Sequence, residues 1–464
     1  RRSSDLYGLY INVEHIDEQF VKSRFGNNNG NLYKCLYPAD LVYIGSNPND
    51  YKLTTDGRRV YDLKTNNMED NYTDLAYFIG ILNQTPLASL PEQLEPVFNV
   101  NGFLKVLAVD VLTANWDGYA YNKNNFYLYH NTLSNQFEYI PYDVDNTFGI
   151  DWFNIDWGTR NIYNWAANES RPLVKRLLQV PEYKERFSFY LNQLLNSFFT
   201  TNVLNTKIDF FKNQIYSFAQ NDNFRTLDYE WDINEFNQSF TQPLGDHVKY
   251  GLKPFISARR SSAWMQMSLV NIHPIIEIFP VSALYSNQQM QFQARVTDES
   301  SQLTISLFYQ VNNGAWQTKT MFDNGLNNDG IEGDKIFGAI ADPLNEYGFV
   351  NYYITATDWN QLQSRVPRTG FLSFEVFSGE AHKLLINEFM AINTTTLADE
   401  TGGFGDWIEI YNAGSEPVSM SGFYLTDNFD TRDKFPLPDT ILQAGGFALF
   451  WADNDPEQIG KSVV

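Results

Sequence analysis

Cysteine is almost absent from this chain, which contains a single one, Cys35, among 464 residues. One cysteine excludes an internal disulfide framework and a cysteine-ligated zinc site. The five histidines lie far apart, without the spacing of metal ligands. Apolar runs long enough to span a membrane are missing, and no signal peptide is recognisable. We therefore interpret Cys35 as a small core residue of a strand, and the histidines as structural or surface residues.

Positive charge is scarce as well. The chain has 33 Lys and Arg residues against 55 Asp and Glu residues, and its formal net charge is −22 at pH 7. This balance argues against nucleic acid and against an anionic membrane surface as partners. The length predicts roughly three domains. Aromatic residues make up 16% of the chain, enough for each domain to bury a sizeable core.

The stretch richest in chemistry covers residues 115–151, NWDGYAYNKNNFYLYHNTLSNQFEYIPYDVDNTFGID. Before it, apolar residues at helical spacing predict a mostly buried helix that delivers Asp117 to a loop; they are Phe103, Val106, Leu107 and Val111. After the asparagine cluster, residues 126–129 and 137–140 are rich in aromatic and β-branched side chains. These two segments predict a hairpin that ends just before Asp143.

An aspartate, an asparagine-rich segment, a hairpin and a second aspartate follow one another in the order that protein kinases use. In such a site one carboxylate orients the proton of the attacking hydroxyl, while an asparagine and a second carboxylate hold the metal. The chain contains neither HRD nor DFG, so the parallel is one of order and chemistry. The order predicts a kinase-like site.

WDGYAYNKNNFYLY followed by IPYDVDNTFG resembles the signature of the CotH kinase family, which are atypical secreted or spore-coat protein kinases. The resemblance extends upstream to LYGLYINVEHIDEQF and GNLYKCLY and downstream to FISARR, over roughly residues 1–268. It implies an α+β, protein-kinase-like domain that uses ATP with Mg²⁺ or Mn²⁺. Family members have more of this domain before the first residue, so we expect an N-terminally truncated fragment. Towards its other end, residues 254–267 predict an amphipathic helix, and we interpret Arg259 and Arg260 as its solvated face.

Carried over residue by residue, the resemblance makes Asp117 the catalytic-loop aspartate, Asp143 the principal metal ligand and Lys34 the phosphate-binding lysine. In a chain this acidic, Lys34 and a divalent cation would supply the positive charge that ATP needs. The metal-binding asparagine is either Asn122, by its distance from Asp117, or Asn125, by its place directly before the aromatic strand. We favour Asn125.

Two acidic residues keep two interpretations each. Asp145 is either a second metal ligand or the cap of the turn around Asn146. Glu14 belongs to the family pattern and either pairs with Lys34, as part of the cofactor site, or is an exposed carboxylate at a strand end.

From about residue 272 the apolar residues alternate with polar ones, a pattern typical of half-buried strands. Residues 271–380 therefore predict an all-β, immunoglobulin-like or fibronectin-like sandwich. Within it, DNGLNNDGIEGD contains Asp323, Asp329 and Asp334. Their carboxylates either bind calcium or form ordinary surface turns, since the spacing is not that of an EF-hand.

The segments LLINEFMA, GDWIEIYNAG, SGFYLTDN and GGFALFWADN resemble the lamin tail domain, an immunoglobulin-like module, over residues 383–464. The resemblance implies binding or attachment, and the chain ends in what we expect to be the middle of this module. No catalytic constellation is visible in it.

We therefore predict three domains, 1–270, 271–380 and 381–464, in a secreted or cell-surface protein. The first would transfer the γ-phosphoryl group of ATP to Ser or Thr of a protein substrate, and the two sandwiches would attach to surface or matrix partners. The main alternative is a non-catalytic scaffold or adhesion protein with a kinase-like fold. A third hypothesis, a calcium-dependent adhesin, centres on residues 323–334.

Overall fold

A computed structural model describes residues 11–166, 169–222, 224, 226–268, 271–281, 284–377, 384–399, 402–427 and 433–452. The first ten residues, with the first five of the LYGLYINVEHIDEQF motif, lie outside this range. Within the described residues no helix is both long enough and apolar enough to cross a membrane.

The first part of the chain mixes helices with a small sheet. Its helices are α1 (Glu18–Phe25), α2 (Thr73–Gln84), α3 (Leu90–Leu94), α4 (Val100–Thr113), α5 (Tyr119–Asn122), α6 (Pro172–Gln179), α7 (Pro181–Asn196), α8 (Thr201–Gln220), α9 (Thr226–Tyr229), α10 (Ile233–Gln238) and α11 (Leu252–Gln266). Its strands are β1 (Leu32–Cys35), β2 (Thr54–Thr55), β3 (Arg58–Arg59), β4 (Tyr61–Leu63), β5 (Phe126–Asn131) and β6 (Gln136–Pro141). Short 3₁₀ turns cover Pro48–Tyr51 and Leu87–Ser89.

Four of these strands form one sheet in the order β4-β1-β5-β6. The predicted hairpin is present, because β5 and β6 pair antiparallel, with Phe126 opposite Pro141. In the middle of the sheet, Lys34 of β1 lies opposite Asp62 of β4 and Tyr127 of β5. The sheet therefore places the predicted phosphate-binding lysine beside the strand that follows Asn125.

Helix α4 is the predicted helix before the site. The side chain of Asn99 caps its start by accepting from the Gly102 amide at 2.8 Å, which satisfies one free helical donor. The helix ends at Ala114, whose φ of 59° is left-handed. Asp110 lies on its buried face, where burial raises the pKa of the carboxyl to about 7. Asn115 Nδ2 donates to Asp110 Oδ1 at 3.0 Å and so anchors the loop that carries Asp117.

Arg259 corrects one interpretation of the sequence. The pair Arg259 and Arg260 suggested a solvated helix face, but Arg259 is fully buried. Its guanidinium donates to the carbonyl of Val111 at 2.9 Å and to that of Arg160 at 2.6 Å. Burial lowers the pKa of Arg259 to about 9. Because Val111 is in the last turn of α4, this arginine ties α11 to the helix that leads into the site.

The middle part of the chain is a two-sheet structure. Its strands are β7 (Ile275–Phe279), β8 (Leu284–Tyr285), β9 (Met290–Thr297), β10 (Leu303–Val311), β11 (Gln317–Met321), β12 (Ile336–Ala341), β13 (Gly348–Asp358), β14 (Gln363–Val366) and β15 (Leu372–Phe377). One sheet has the order β11-β10-β13-β15-β8, with β14 beside β13, and the other has the order β12-β9-β7. The predicted period of two is confirmed in β9, where every second side chain enters a core shared by both sheets.

The last part of the chain is also built of strands: β16 (Leu384–Met390), β17 (Trp407–Asn412), β18 (Val418–Ser419), β19 (Tyr424–Leu425), β20 (Phe435–Pro436), β21 (Ile441–Leu442) and β22 (Phe447–Trp451). Its main sheet has the order β16-β17-β22. It has a hydrophobic core of its own, as does the middle part. The largest core belongs to the first part and extends as far as Ile275, a few residues past the predicted boundary.

Candidate active site

Three asparagines hold the carboxylate of Asp117. Asn122 Nδ2 donates to Asp117 Oδ1 at 2.5 Å. Asn125 Nδ2 donates to Asp117 Oδ2 at 3.1 Å, and Asn146 Nδ2 approaches the same oxygen at 3.3 Å. Both candidates for the metal-binding asparagine, Asn122 and Asn125, thus contact Asp117. Asn146, from the DNTFG segment, is a third donor, which the sequence predicts only as part of a turn.

The backbone of Asn125 connects Asp117 to the segment that carries Asp143. Asn125 is buried and has a φ of 54°, a conformation that asparagine tolerates better than most residues. Its carbonyl accepts from the Tyr142 amide at 3.1 Å. This bond extends the hairpin ladder by one step beyond Phe126 and Pro141. Asn125 therefore lies next to the start of the metal-binding segment predicted from the sequence.

Asp143 lies in a concentration of negative charge. Partial burial, followed by the like charges of Asp145 and Asp117, raises the pKa of its carboxyl, and Lys34 opposes the rise. Lys34 Nζ lies 4.6 Å from the ring centroid of Tyr142, the neighbour of Asp143. The fold thus brings four of the predicted site residues into electrostatic reach of one another, although they come from β1, from the loop after α4 and from the segment after β6.

These donors suit a hard divalent cation. Carboxylate and amide oxygens are the ligands that Mg²⁺ prefers, usually one or two carboxylates together with phosphate oxygens. The amide nitrogen of Asn125 is engaged with Asp117, so a metal at Asn125 would be bound by its amide oxygen. The raised pKa of Asp143 reflects negative charge that a cation would neutralise. The residues present therefore fit the group that the resemblance implies.

The two interpretations of Asp145 stay open. Its Oδ1 accepts from Asn146 Nδ2 at 3.0 Å, and its carbonyl accepts from the Thr147 amide at 2.9 Å. Both bonds belong to a turn, as one interpretation predicts. Its charge also acts on Asp143, as expected of a second acidic group at the site.

The suggested pairing of Glu14 with Lys34 is wrong. Glu14 pairs instead with Arg24 of α1 at 2.9 Å, and both side chains are more than half exposed. The salt bridge is local, because α1 directly follows the segment that carries Glu14. The exposed-carboxylate interpretation describes this residue, and Glu14 takes no part in the cluster around Asp143.

The carboxylates of the candidate calcium loop point at the backbone of their own loop, which joins β11 to β12. Asp329 is fully buried and accepts from the amides of Asn324, Gly325 and Asn327. Asp323 accepts from two further amides of this loop, and Asp334 accepts from another loop amide and from the first amide of β12. Hydrogen bonds of this kind are expected if the three carboxylates form ordinary turns. Calcium binding by Asp323, Asp329 and Asp334 stays a prediction.

Sequence reasoning missed a second buried aspartate near the site. Asp151 is 2% exposed and accepts from the amides of Phe153 and Ile155 and from the indole of Trp157, all at 3.0 Å. Lys249 pairs with the same carboxylate at 3.1 Å. The sequence does contain a signal for this role: the loop after Asp151 is rich in aromatic residues, and its buried N–H groups need a hydrogen-bond acceptor. This group shapes the segment that follows the DNTFG turn.

Fold and site together define a mixed α/β domain with an aspartate, asparagine and lysine cluster suited to a metal, followed by two β-rich parts. The model of the family described as CotH kinase protein matches residues 3–262. The chain belongs to this family. A second model, the Lamin Tail Domain, matches residues 378–463.

Several named relatives share this first domain. The inner spore coat protein H of Bacillus subtilis is 26% identical over 248 residues, which are 52% of this chain and 66% of that protein. Invasin CotH2 of Rhizopus delemar is 24% identical over 257 residues, 50% of this chain and 39% of that protein. Invasin CotH3 of the same organism is 26% identical over 250 residues, 50% of this chain and 38% of that protein. The chain thus spans less than two thirds of the length of each of these relatives.

Among solved structures, an uncharacterized protein of Listeria monocytogenes aligns with 36% of this chain and 17% of its own length. Its identity is 9% and its TM-score is 0.18, a similarity too low to assign a fold. The protein-kinase-like class of the first domain therefore stays a prediction.

Proposed function

We propose that this chain is a metal-dependent protein kinase that transfers the γ-phosphoryl group of ATP to Ser or Thr of a protein. The observation that carries the proposal is the pair of hydrogen bonds that the side-chain amides of Asn122 and Asn125 donate to Asp117. The nearby carboxylate of Asp143 interacts electrostatically with both Asp117 and Lys34. A domain that only has to fold gains nothing from gathering like charges at a partly exposed site. The family's description as CotH kinase protein supports the same chemistry.

Each residue takes one role in this proposal. Asp117, oriented by its asparagine donors, accepts or orients the proton of the acceptor hydroxyl. Asp143 and the amide oxygen of Asn125 hold Mg²⁺ or Mn²⁺, with Asp145 as a candidate second ligand. The metal ion, when bound, supplies neutralisation of phosphate charge. Lys34, held against the ring of Tyr142, places a positive charge for the phosphates in an otherwise acidic chain.

The β-rich parts and the relatives bear on where the protein acts. The roles in the relatives' names, spore coat protein and invasin, belong to those proteins. By analogy we propose a secreted or cell-surface location for this chain, with the lamin tail domain as a module for protein partners. No nucleic acid is expected as a partner, because the formal net charge is −22.

Phosphoryl transfer can be tested before the natural acceptor is known. The chain is incubated with γ-labelled ATP and Mg²⁺ or Mn²⁺, and label is followed on the chain itself and on a generic Ser- and Thr-rich acceptor protein. We expect incorporation with the metal, and a loss of at least a hundredfold in Asp117→Asn, which keeps the size of the side chain. Glu14→Gln is the matched control, since Glu14 lies in the salt bridge with Arg24, and should transfer at the unmodified rate.

Incorporation that persists in Asp117→Asn would contradict the assigned role. If the chain binds neither nucleotide nor metal and labels nothing, the scaffold hypothesis becomes the better one. That hypothesis has support of its own in the junction between the first two domains, where Arg368 forms two hydrogen bonds with Glu95 and one with Glu182. Such a fixed arrangement of domains is what an adhesion or matrix protein needs.

A further inference from the structure

Three acidic side chains of the middle domain, none of them part of the site described above, lie close together. Asp298 and Glu299 directly follow β9, and Asp358 is the last residue of β13. One carboxylate oxygen of each lies within 4.8 Å of the others. Among the residues that the structure describes, no other three metal-ligating side chains of this kind are gathered so closely.

An unsatisfied buried oxygen marks this cluster. Asp298 is 6% exposed, and its Oδ1 accepts from the Ser300 amide at 2.7 Å. Its Oδ2 is buried without any hydrogen-bond partner. A buried carboxylate oxygen without a donor is costly in a folded protein, so such an atom calls for a ligand. Burial and the like charges of Glu299 and Asp358 also raise the pKa of Asp298 to about 6, although Lys335 opposes the rise.

We propose that Asp298, Glu299 and Asp358 bind a calcium ion. Calcium takes oxygen ligands at about 2.3–2.6 Å, so two ligands on opposite sides of the ion are about 5 Å apart. The oxygens in the cluster, all within 4.8 Å of one another, fit around one such ion. Zinc is disfavoured, because the cluster offers neither histidine nor cysteine.

Calcium suits this cluster better than magnesium. Magnesium demands near-ideal octahedral geometry, whereas calcium accepts six to eight ligands in a flexible arrangement. Here one ligand, Glu299, is exposed, and the other two are fixed by the ends of separate strands. An ion bound here would keep open positions for water on the side of Glu299.

The cluster is joined to the connection between the first and middle domains. Asn271 Nδ2 donates to Asp358 Oδ2 at 2.8 Å, and the Ile272 amide donates to Glu299 Oε2 at 3.2 Å. Both donors precede β7, and Ile272 still belongs to the core of the first domain. Calcium bound to these carboxylates would therefore order the connection as well as the sandwich. The predicted loop at residues 323–334 has no part in this site.

The test is a calcium titration of the full chain, measured by calorimetry after bound metal has been removed with a chelator. We expect one calcium ion fewer to bind in Asp298→Asn than in the unmodified chain. Glu299→Gln should weaken calcium binding at that site at least tenfold. Because Glu299 is exposed, this variant should fold normally, so its loss of calcium binding cannot be attributed to misfolding. Asp334→Asn and Asp143→Asn are matched controls for the predicted loop and for the proposed kinase site, and both should keep this calcium ion.

Hydrogen exchange supplies a second readout. We expect calcium to slow exchange in residues 271–281 of the unmodified chain and not in Glu299→Gln. Unchanged calcium binding in both Asp298→Asn and Glu299→Gln would overturn the proposal, as would a loss confined to Asp334→Asn. Equal binding of magnesium at the same concentration would overturn the choice of calcium. None of these outcomes depends on kinase activity.

Discussion

Asn125 joins the two halves of the candidate active site. Its side chain donates to Asp117 Oδ2 at 3.1 Å, and its carbonyl accepts from Tyr142, the residue before Asp143. The hydroxyl-orienting aspartate and the metal-binding segment are therefore positioned by one buried side chain and its backbone. This relationship favours Asn125 over Asn122 as the metal ligand.

The first prediction separates these two asparagines. We expect Asn125→Gly to weaken metal-dependent ATP binding at least tenfold, because it removes an amide oxygen from the metal. Glycine is chosen since the φ of 54° at this position would strain other replacements. Asn122→Ala should affect transfer more than binding. Isothermal titration calorimetry with ATP and Mn²⁺ distinguishes the two variants. A larger loss of binding in Asn122→Ala than in Asn125→Gly would show that Asn122 is the metal ligand.

The second prediction concerns the buried carboxyl of Asp110, whose pKa is raised by burial to about 7. Between the unfolded value, about 3.9, and this value, the folded state binds more protons than the unfolded state. The free energy of unfolding contributed by this group therefore falls as the pH rises from 4 to 7, by at most about 1.4 kcal/mol per pH unit. Asp110→Asn removes this loss.

Denaturant unfolding at several pH values measures the difference between Asp110→Asn and the unmodified chain. We expect the variant's advantage to grow from pH 4 to pH 7 and to stay constant above it. Glu18→Gln, at an exposed position of α1, is the control and should show no such trend. An advantage independent of pH would mean that Asp110 is ionised in the folded protein throughout.

The third prediction concerns the ion pairs that Arg368 forms between the first and middle domains. Arg368 donates to Glu95 at 2.6 and 2.8 Å and to Glu182 at 2.8 Å. All three side chains are partly buried, so removal of one partner leaves charges without compensation. We expect Arg368→Ala to lower the free energy of unfolding by about 2 kcal/mol.

A double-mutant cycle with Glu95→Ala isolates the pair, since Glu95 also contacts Arg186 and Tyr183. The coupling between Arg368 and Glu95 should be at least about 1 kcal/mol. Strictly additive effects would show that the two domains are held together by other contacts.

The fourth prediction distinguishes a turn from a calcium loop. Asp329 accepts hydrogen bonds from three backbone amides of its own loop. Asp329→Asn should therefore lower the melting temperature of the middle domain with or without calcium. The loss arises because an amide side chain offers one acceptor oxygen where the carboxylate offers two. A variant that differs from the unmodified chain only when calcium is present would instead support the loop as a metal site.

The sequence predicted the elements whose pattern is local. Periodic apolar residues and aromatic runs were enough for α4 and for the β5–β6 hairpin, and family motifs placed Asp117, Asp143 and Lys34 together. Arg259 was misjudged because its burial depends on carbonyls of Val111 and Arg160, which lie far away in the chain. Asp298, Glu299 and Asp358 went unnoticed for the same reason, since the pairing of β10 with β13 is what brings Asp358 beside the connection from β9 to β10.

The proposed function requires nucleotide and metal to bind together at Asp143. Thermal melting of the chain with ATP alone, Mn²⁺ alone, both and neither tests it directly, because a ligand specific to the folded state raises the melting temperature. Asp143→Gly relieves repulsion from Asp145 and Asp117, and glycine tolerates the φ of 52° at this position, so the variant should fold about as stably when no ligand is present. We expect a rise that needs both ATP and Mn²⁺ and that vanishes in Asp143→Gly. The same rise in the variant, or none in the unmodified chain under any condition, would contradict the claim.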